Sequence, residues 1–225
     1  PQVIQLADFF EVISKNNLSL LSELLQACRR ELNPSILMQI INFAISQDNH
    51  EAFKLLNDFS SNAFLNDQIA LKTLLLMTIT HANLDTFSYL MSQSPVEILN
   101  AAIDHDVFYA STSPFNPSMI RSLIRIPQYA YQSASYNHRL LKLAIRHHDL
   151  YLIQQILQIH QVKASIFEHR FTLVSEAFNS RNQAVLFHVL LNHVLFRSFF
   201  EHPHTSIKIL SDFTQFFIES HQALS

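Results

Sequence analysis

Thirteen histidines and a single cysteine are the residues of this chain with the most chemistry to offer. His147-His148 stands just before Asp149, and His202-Pro203-His204 has Glu201 beside it. A zinc site needs three or four converging ligands, with Cys or His at set spacings. Adjacent residues of a helix point apart, so His147 and His148 make a poor chelating pair. No other spacing supplies the missing ligands. The sequence therefore predicts no metal and no cofactor. It places these imidazoles in turns and on surfaces, where some titrate near pH ~6 and make the surface more positive on acidification.

Cys28 is followed by Arg29 and Arg30, and basic neighbours lower a thiol pKa. A nucleophile also needs a base within reach, and the sequence shows none. The plainer expectation is a small buried hydrophobe at a helix end. No G-x-S-x-G, no H-E-x-x-H and no Gly-rich phosphate loop occurs. No catalytic residue is assigned, and the segment is not expected to be an enzyme.

The composition narrows the field further. In 225 residues, 48% are apolar and 15% charged, so a core is easily filled. The net charge is −3 with the signs interspersed, and Arg29-Arg30 is the longest basic run. That excludes a basic nucleic-acid footprint and a polybasic membrane patch. The most apolar stretches, "IALKTLLLMTI" and "VLFHVLLNHVLF", are short and broken by Lys, Asn and His, so no membrane insertion is expected. One cysteine allows no intramolecular disulfide and suits a reducing compartment. The N-terminus has neither the basic start nor the cleavage site of a signal peptide. Lacking a Met, it reads as a domain cut from a longer protein.

There are no glycines, where an average chain of this length carries about 16. Turns that need a positive φ are hard to build without them. With only seven prolines, the chain reads as all-helical, with joints of Asn, Asp, Ser and Pro.

What positions the polar residues is a repeat. "FAISQDNHEAFKLL" at 43–56 returns as "MTITHANLDTFSYL" at 77–90 and "LAIRHHDLYLIQQIL" at 143–157. Asn17, Asn49, Asn83, Asn116, Asp149 and Asn182 fall at intervals of 32, 34, 33, 33 and 33. Asn and Asp are strong N-caps, and Pro117 after Asn116 is favoured at the first helical position. These six residues mark six helix starts. Four positions on come Leu21, Phe53, Phe87, Ile120, Ile153 and Leu186; seven on come Leu24, Leu56, Leu90, Leu123, Ile156 and Val189. Both positions share one helix face. Five positions before the cap come Val12, Ala44, Thr78, Ser111, Ala144 and Ala177, mostly small as a close helix contact requires. Each unit is a helix, a tight turn and a second helix, which buries its apolar faces only by stacking on neighbours.

This pattern resembles the ankyrin repeat, which recurs every 33 residues and reads A-A-x-x-G-H-x-x-[V/I]-V-x-x-L-L through its helix pair. "AISQDNHEAFKLL" fits almost position by position, with Asp48-Asn49 where the family has Gly-His. "TITHANLDTFSYL", "AIRHHDLYLIQQIL" and "AFNSRNQAVLFHVL" fit as well, and the resemblance covers about residues 5–192. Of the family's T-P-L-H motif only Thr73 and Thr172 stand in place. Its Gly-dependent hairpin fingers have no Gly here, so helical or irregular joints are expected. A 34-residue tetratricopeptide array is the rival at this period, but its large-small aromatic pattern does not line up.

The resemblance implies an α-solenoid of about six ankyrin-like helix-turn-helix repeats in one domain, 1–225. The repeats fall at about 5–32, 33–66, 67–99, 100–132, 133–165 and 166–198. A capping helix follows at about 205–221, "HTSIKILSDFTQFFIESHQ". Two stretches break the pattern. "PVEILNAAIDHDVFYASTSPFNP" offers two first helices for the fourth unit: either the helix slides back before a long loop carrying Phe108, Tyr109 and Phe115, or it runs longer. In "RIPQYAYQSASYNHR", Pro127 is expected to end the preceding helix, and Tyr129, Tyr131 and Tyr136 crowd the joint. They are either binding anchors or covers over the edges of neighbouring units.

By the same resemblance, Lys15, Gln47, His81, His147 and Ser180, just after the A-A position, line a recognition surface. With Phe115 and the three tyrosines they are the binding candidates. The implied function is protein–protein interaction, as a recognition or scaffold module within a longer chain, monomeric and cytoplasmic. The low Gly and the abundance of Asn, Ile and Phe resemble products of AT-rich genomes. Arrays of this sort are similar to those of effectors of intracellular bacterial pathogens and of large DNA-virus host-range proteins. The partner is then a host protein in the host cytosol. The alternative is a substrate-recruiting accessory to a catalytic domain outside this segment.

Overall fold

The computed structural model describes residues 5–113, 115–136 and 138–160, with Val162 and Leu173. The described residues are all-α, with twelve α-helices, one short 3-10 helix and no strand. None of these helices is long and apolar enough to cross a membrane. The chain divides into two compact units, Pro1–Gln132 and Ser133–Ser225. The capping helix and the repeat register beyond residue 173 lie outside the described residues, as do Ser180, His202 and His204.

Three helix pairs open the first unit: α1 (Leu6–Ser14) with α2 (Leu18–Ala27), α3 (Pro34–Ser46) with α4 (His50–Phe59), and α5 (Gln68–Thr80) with α6 (Leu84–Gln93). They are followed by α7 (Val96–Ala102), α8 (His105–Thr112) and α9 (Pro117–Leu123). First helices pack on first helices, α1 on α3 on α5, and α5 meets both α7 and α8. Second helices do the same, α2 on α4 on α6 on α9. Helix α10 (Pro127–Ser135) carries the chain into the second unit, where α11 (Arg139–Arg146) packs on α12 (Leu150–Gln158).

The caps fall where the repeat puts them. The side-chain oxygens of Asn17, Asn49, Asn83, Asn116 and Asp149 accept from the backbone N–H three residues on, at 2.9–3.3 Å. Asn33 and Asp67 cap α3 and α5 in the same way. Leu21, Phe53, Phe87, Ile120 and Ile153 are fully buried at the fourth position, and each side chain of that size contributes about 1.5–3 kcal/mol.

The turns overturn one expectation. They do use a positive φ, without glycine: Asn16 (50°), Asp48 (53°), Ala82 (54°) and His148 (57°) each stand just before a cap. Each closes a Schellman turn. Asn16 N donates to Ile13 O and Asn17 N to Val12 O, and the other three turns repeat both bonds. One residue thus ends the first helix as its outer partner and caps the second.

Two further expectations are corrected. In the fourth unit the first helix neither slides nor lengthens but divides. Asp104 accepts from Asp106 N and Val107 N and opens α8 afresh. Phe108 is therefore a fully buried helix residue and not part of a loop. Pro127 ends no helix; it starts α10, where its missing N–H is no loss. The joints are helical or irregular throughout the described residues, including the 3-10 turn Ala63–Leu65.

Candidate functional site

The candidate positions after the A-A pair share one backbone role. Lys15, Gln47, His81 and His147 are each the last residue before the left-handed turn, and each is exposed. In the first unit, bonds between successive turns place Lys15, Gln47 and His81 in series along one edge. Asn49 Nδ2 donates to Ile13 O and Asn16 Oδ1, and Asn83 Nδ2 reaches Ile45 O at 3.5 Å. His147 has the same local geometry within the second unit. Lys15 is paired with Glu11 one helical turn back.

Along this edge lies an open cleft of about 470 Å³. Gln47 and Asn16 line it with Asp48, Glu51 and Asp85, and His50 stands on its wall. His50 is the first residue of α4, half-buried, with its ring 5.8 Å from that of Tyr89 and edge-on to it. Its Nδ1 is 3.2 Å from Thr86 Oγ1, on the next helix pair. Burial, and then Lys54, hold its pKa below the usual imidazole value, against the opposing pull of Glu51, Asp85 and Asp48.

Away from the turns, Lys72 of α5 binds both Asp104 and Asp106, 32 and 34 residues later. Those bonds raise the Lys72 pKa and lower that of Asp106. Gln68 Nε2 donates to Ala101 O at 2.9 Å across the same contact.

The aromatic candidates separate. Tyr129 is 0% exposed, with its hydroxyl 2.7 Å from Ser111 Oγ and its ring 5.2 Å from Phe108. It is a core residue and not a surface anchor, and burial pushes its hydroxyl pKa upward. Tyr131 is exposed; Tyr136 is half-buried at the end of α10. Phe115 is half-buried between α8 and α9. Tyr131 belongs to the first compact unit and Tyr136 to the second.

Cys28 is buried at the end of α2. Burial first, then Glu31 and Asp8, raise its thiol pKa, the reverse of what Arg29 and Arg30 imply. It is a poor nucleophile as it stands. Among the described residues no group of three or more His, Cys, Asp and Glu side chains is placed to hold a metal.

The reading of the sequence missed His50 and the cleft, although each residue lining the cleft sits within four positions of an Asn cap. It also missed the edge of α2. Three positions after the cap, Ala52, Thr86, Met119 and Leu152 are fully buried, but Leu20 is 39% exposed. With Leu24 it lines a second hollow of about 290 Å³ beside Asp8, Glu11 and Lys15. No protein-family model, curated protein or solved structure matches this chain.

Proposed function

We propose that this chain is a degenerate ankyrin-like helical-repeat array, an α-solenoid, whose task is to recognise another protein. The observation that carries the reading is the set of bonds made at the repeat interval. Asn49 to Asn16, Gln68 to Ala101, Lys72 to Asp104 and Asn57 to Tyr89 span 33, 33, 32 and 32 residues. Such bonds hold each pair in register on its neighbour, as a linear stack of near-equivalent units requires.

On this constant frame the exposed position differs from turn to turn: Lys15, then Gln47, then His81. A fixed backbone with varied polar side chains is what a recognition surface needs, because the frame supplies pre-organisation and the side chains supply specificity. The acidic residues of the adjoining cleft favour a partner segment bearing Lys or Arg.

Affinity capture from eukaryotic cell lysate tests this, with the wild-type chain run beside a variant carrying Lys15→Ala, Gln47→Ala and His81→Ala. All three side chains are exposed, so the fold is expected to survive. A partner bound by the wild type and lost from the variant supports the reading and locates the surface. A well-folded bait that captures nothing overturns it.

A further inference from the structure

We propose that His50 is an acid-sensitive latch between the second and third helix pairs, holding Thr86 while neutral and releasing α6 when protonated. The geometry is specific to this joint. Thr86 is fully buried at the third position of α6, and its hydroxyl meets His50 Nδ1 at 3.2 Å. The His50 ring also lies against Phe53 of its own helix and Tyr89 of α6, at 6.4 and 5.8 Å between centroids. Tyr89 in turn accepts from Asn57 Nδ2 at 3.3 Å. One imidazole thus touches the polar and the aromatic half of the contact between α4 and α6.

At the corresponding position the other described second helices carry Leu18, Leu84, Pro117 and Leu150. None of them can change charge, so the device belongs to one joint and not to the repeat.

Two effects oppose a charged imidazole there. His50 is the first residue of α4, where the helix dipole is positive and a cation is unfavourable. It is also flanked by apolar rings and half-buried, which disfavours the ion. With neutral Nδ1 as acceptor from the Thr86 hydroxyl, protonation obliges Nδ1 to donate instead, and the hydroxyl must turn its own proton away from the ring. The ionisable groups around it are Asp48 before the helix, Glu51 and Lys54 on α4, and Asp85 on α6. Helix α3 has no ionisable side chain, and α2 has only Glu23. The three carboxylates by the ring soften the penalty without cancelling it. They also give the released imidazolium somewhere to go: out of the joint and into the cleft they line.

The sign follows. The neutral form is favoured in the folded chain, so the joint is fully held above the ordinary imidazole pKa, about 6.5. It weakens as the pH falls below that value. An array with such a joint changes the spacing of its exposed turn residues between neutral and mildly acidic surroundings.

The test is backbone hydrogen exchange read by mass spectrometry at pH 7.5 and pH 5.0, corrected for the intrinsic pH dependence of exchange. Peptides covering α4 and α6 are compared with those covering α1 and α2. Wild type is expected to lose protection in α6 several-fold at the lower pH, with α1 and α2 unchanged. His50→Gln, which cannot titrate, is expected to show no such difference. Thr86→Val, which keeps the imidazole but removes its partner, is expected to lose the transmitted change in α6 and serves if His50→Gln unfolds. Equal protection of wild-type α6 at the two pH values overturns the proposal. So does a pH response that survives in both variants, because a carboxylate would then be responsible.

Discussion

Asn49 Nδ2 donates at 3.1 Å to the carbonyl of Ile13, 36 residues earlier, while Asn49 Oδ1 accepts at 3.0 Å from Ala52 N. One amide therefore starts a helix and ties that helix pair to the one before it. Asn17 stands at the same position of the first pair and caps Leu20 N at 3.1 Å. Losing a cap costs about 1 kcal/mol, and each lost hydrogen bond about 0.5–1.5 kcal/mol. Asn17→Ala is expected to cost about 1 kcal/mol and Asn49→Ala about 2 kcal/mol or more, read from urea midpoints. Equal losses would mean that the bond to Ile13 contributes nothing.

Ala82 holds φ at 54° with no polar side chain to support it. The left-handed region costs an L-residue about 1–2 kcal/mol. The extra freedom of glycine in the unfolded chain takes back about 0.4–1 kcal/mol. Ala82→Gly is therefore expected to stabilise by a few tenths to about 1 kcal/mol. Asn16→Gly is expected to gain less, because Asn tolerates this region. A lower thermal midpoint for Ala82→Gly would show that the turn is not held in this conformation in solution.

Much of this frame is legible in the sequence, because the physics behind it is local. An Asn followed by apolar residues at positions four and seven defines a capped helix with one buried face, and Phe53 and Phe87 are buried as that rule requires. The absence of glycine misled for a physical reason. Asn, Asp, Ala and His all occupy the left-handed position here, so glycine is favourable in such turns but not required. The divided helix of the fourth unit was ambiguous because Asp104 is both an interruption and a new cap. Tyr129 was illegible because its partner is distant. Ser111, 18 residues earlier, satisfies the hydroxyl and lets the whole ring go inside.

That placement makes a contrast between two tyrosines of the same helix. Ser111 Oγ lies 2.8 Å from Phe108 O, to which it donates, so Tyr129 is the donor of the pair it forms with Ser111. Tyr129→Phe is expected to cost about 1 kcal/mol by stranding the serine oxygen. Tyr129→Ala is expected to cost about 3–5 kcal/mol through the cavity it leaves. Tyr131→Ala, at an exposed site, should fall within about 0.5 kcal/mol of wild type. Chemical denaturation of the three variants checks the order.

Lys72 and its two aspartates join α5 to α8 through charge. The Asp106 carboxyl is held below its ordinary pKa and the Lys72 ammonium above its own. The contribution is therefore present between the ordinary values, about 3.9 and 10.4. It is lost as the pH falls through the lowered carboxyl value or rises through the raised ammonium value. Lys72→Met is expected to lower the thermal midpoint at pH 7 and to match wild type near pH 2. High salt should narrow the gap at pH 7, since these groups are partly exposed and screened. A gap that is the same at pH 2 and pH 7 would assign the loss to packing of the lysine stem.

Leu20 and Leu152 occupy the same position, three residues after a cap, in the first and the fifth helix pairs. Leu20 is 39% exposed and Leu152 is 0% exposed. In the pairs between them this position is sealed: Thr86 meets His50 of the preceding pair, and Ala52 is wholly covered. Sequence position alone therefore cannot set the energetic weight of these leucines; what covers each one must. Leu152→Ala is expected to cost about 2–5 kcal/mol. Leu20→Ala should cost well under half as much, because only part of its side chain is removed from water. Urea unfolding of the two variants measures the difference. A Leu20→Ala loss as large as that of Leu152→Ala would mean that the outer edge of α2 is covered in solution.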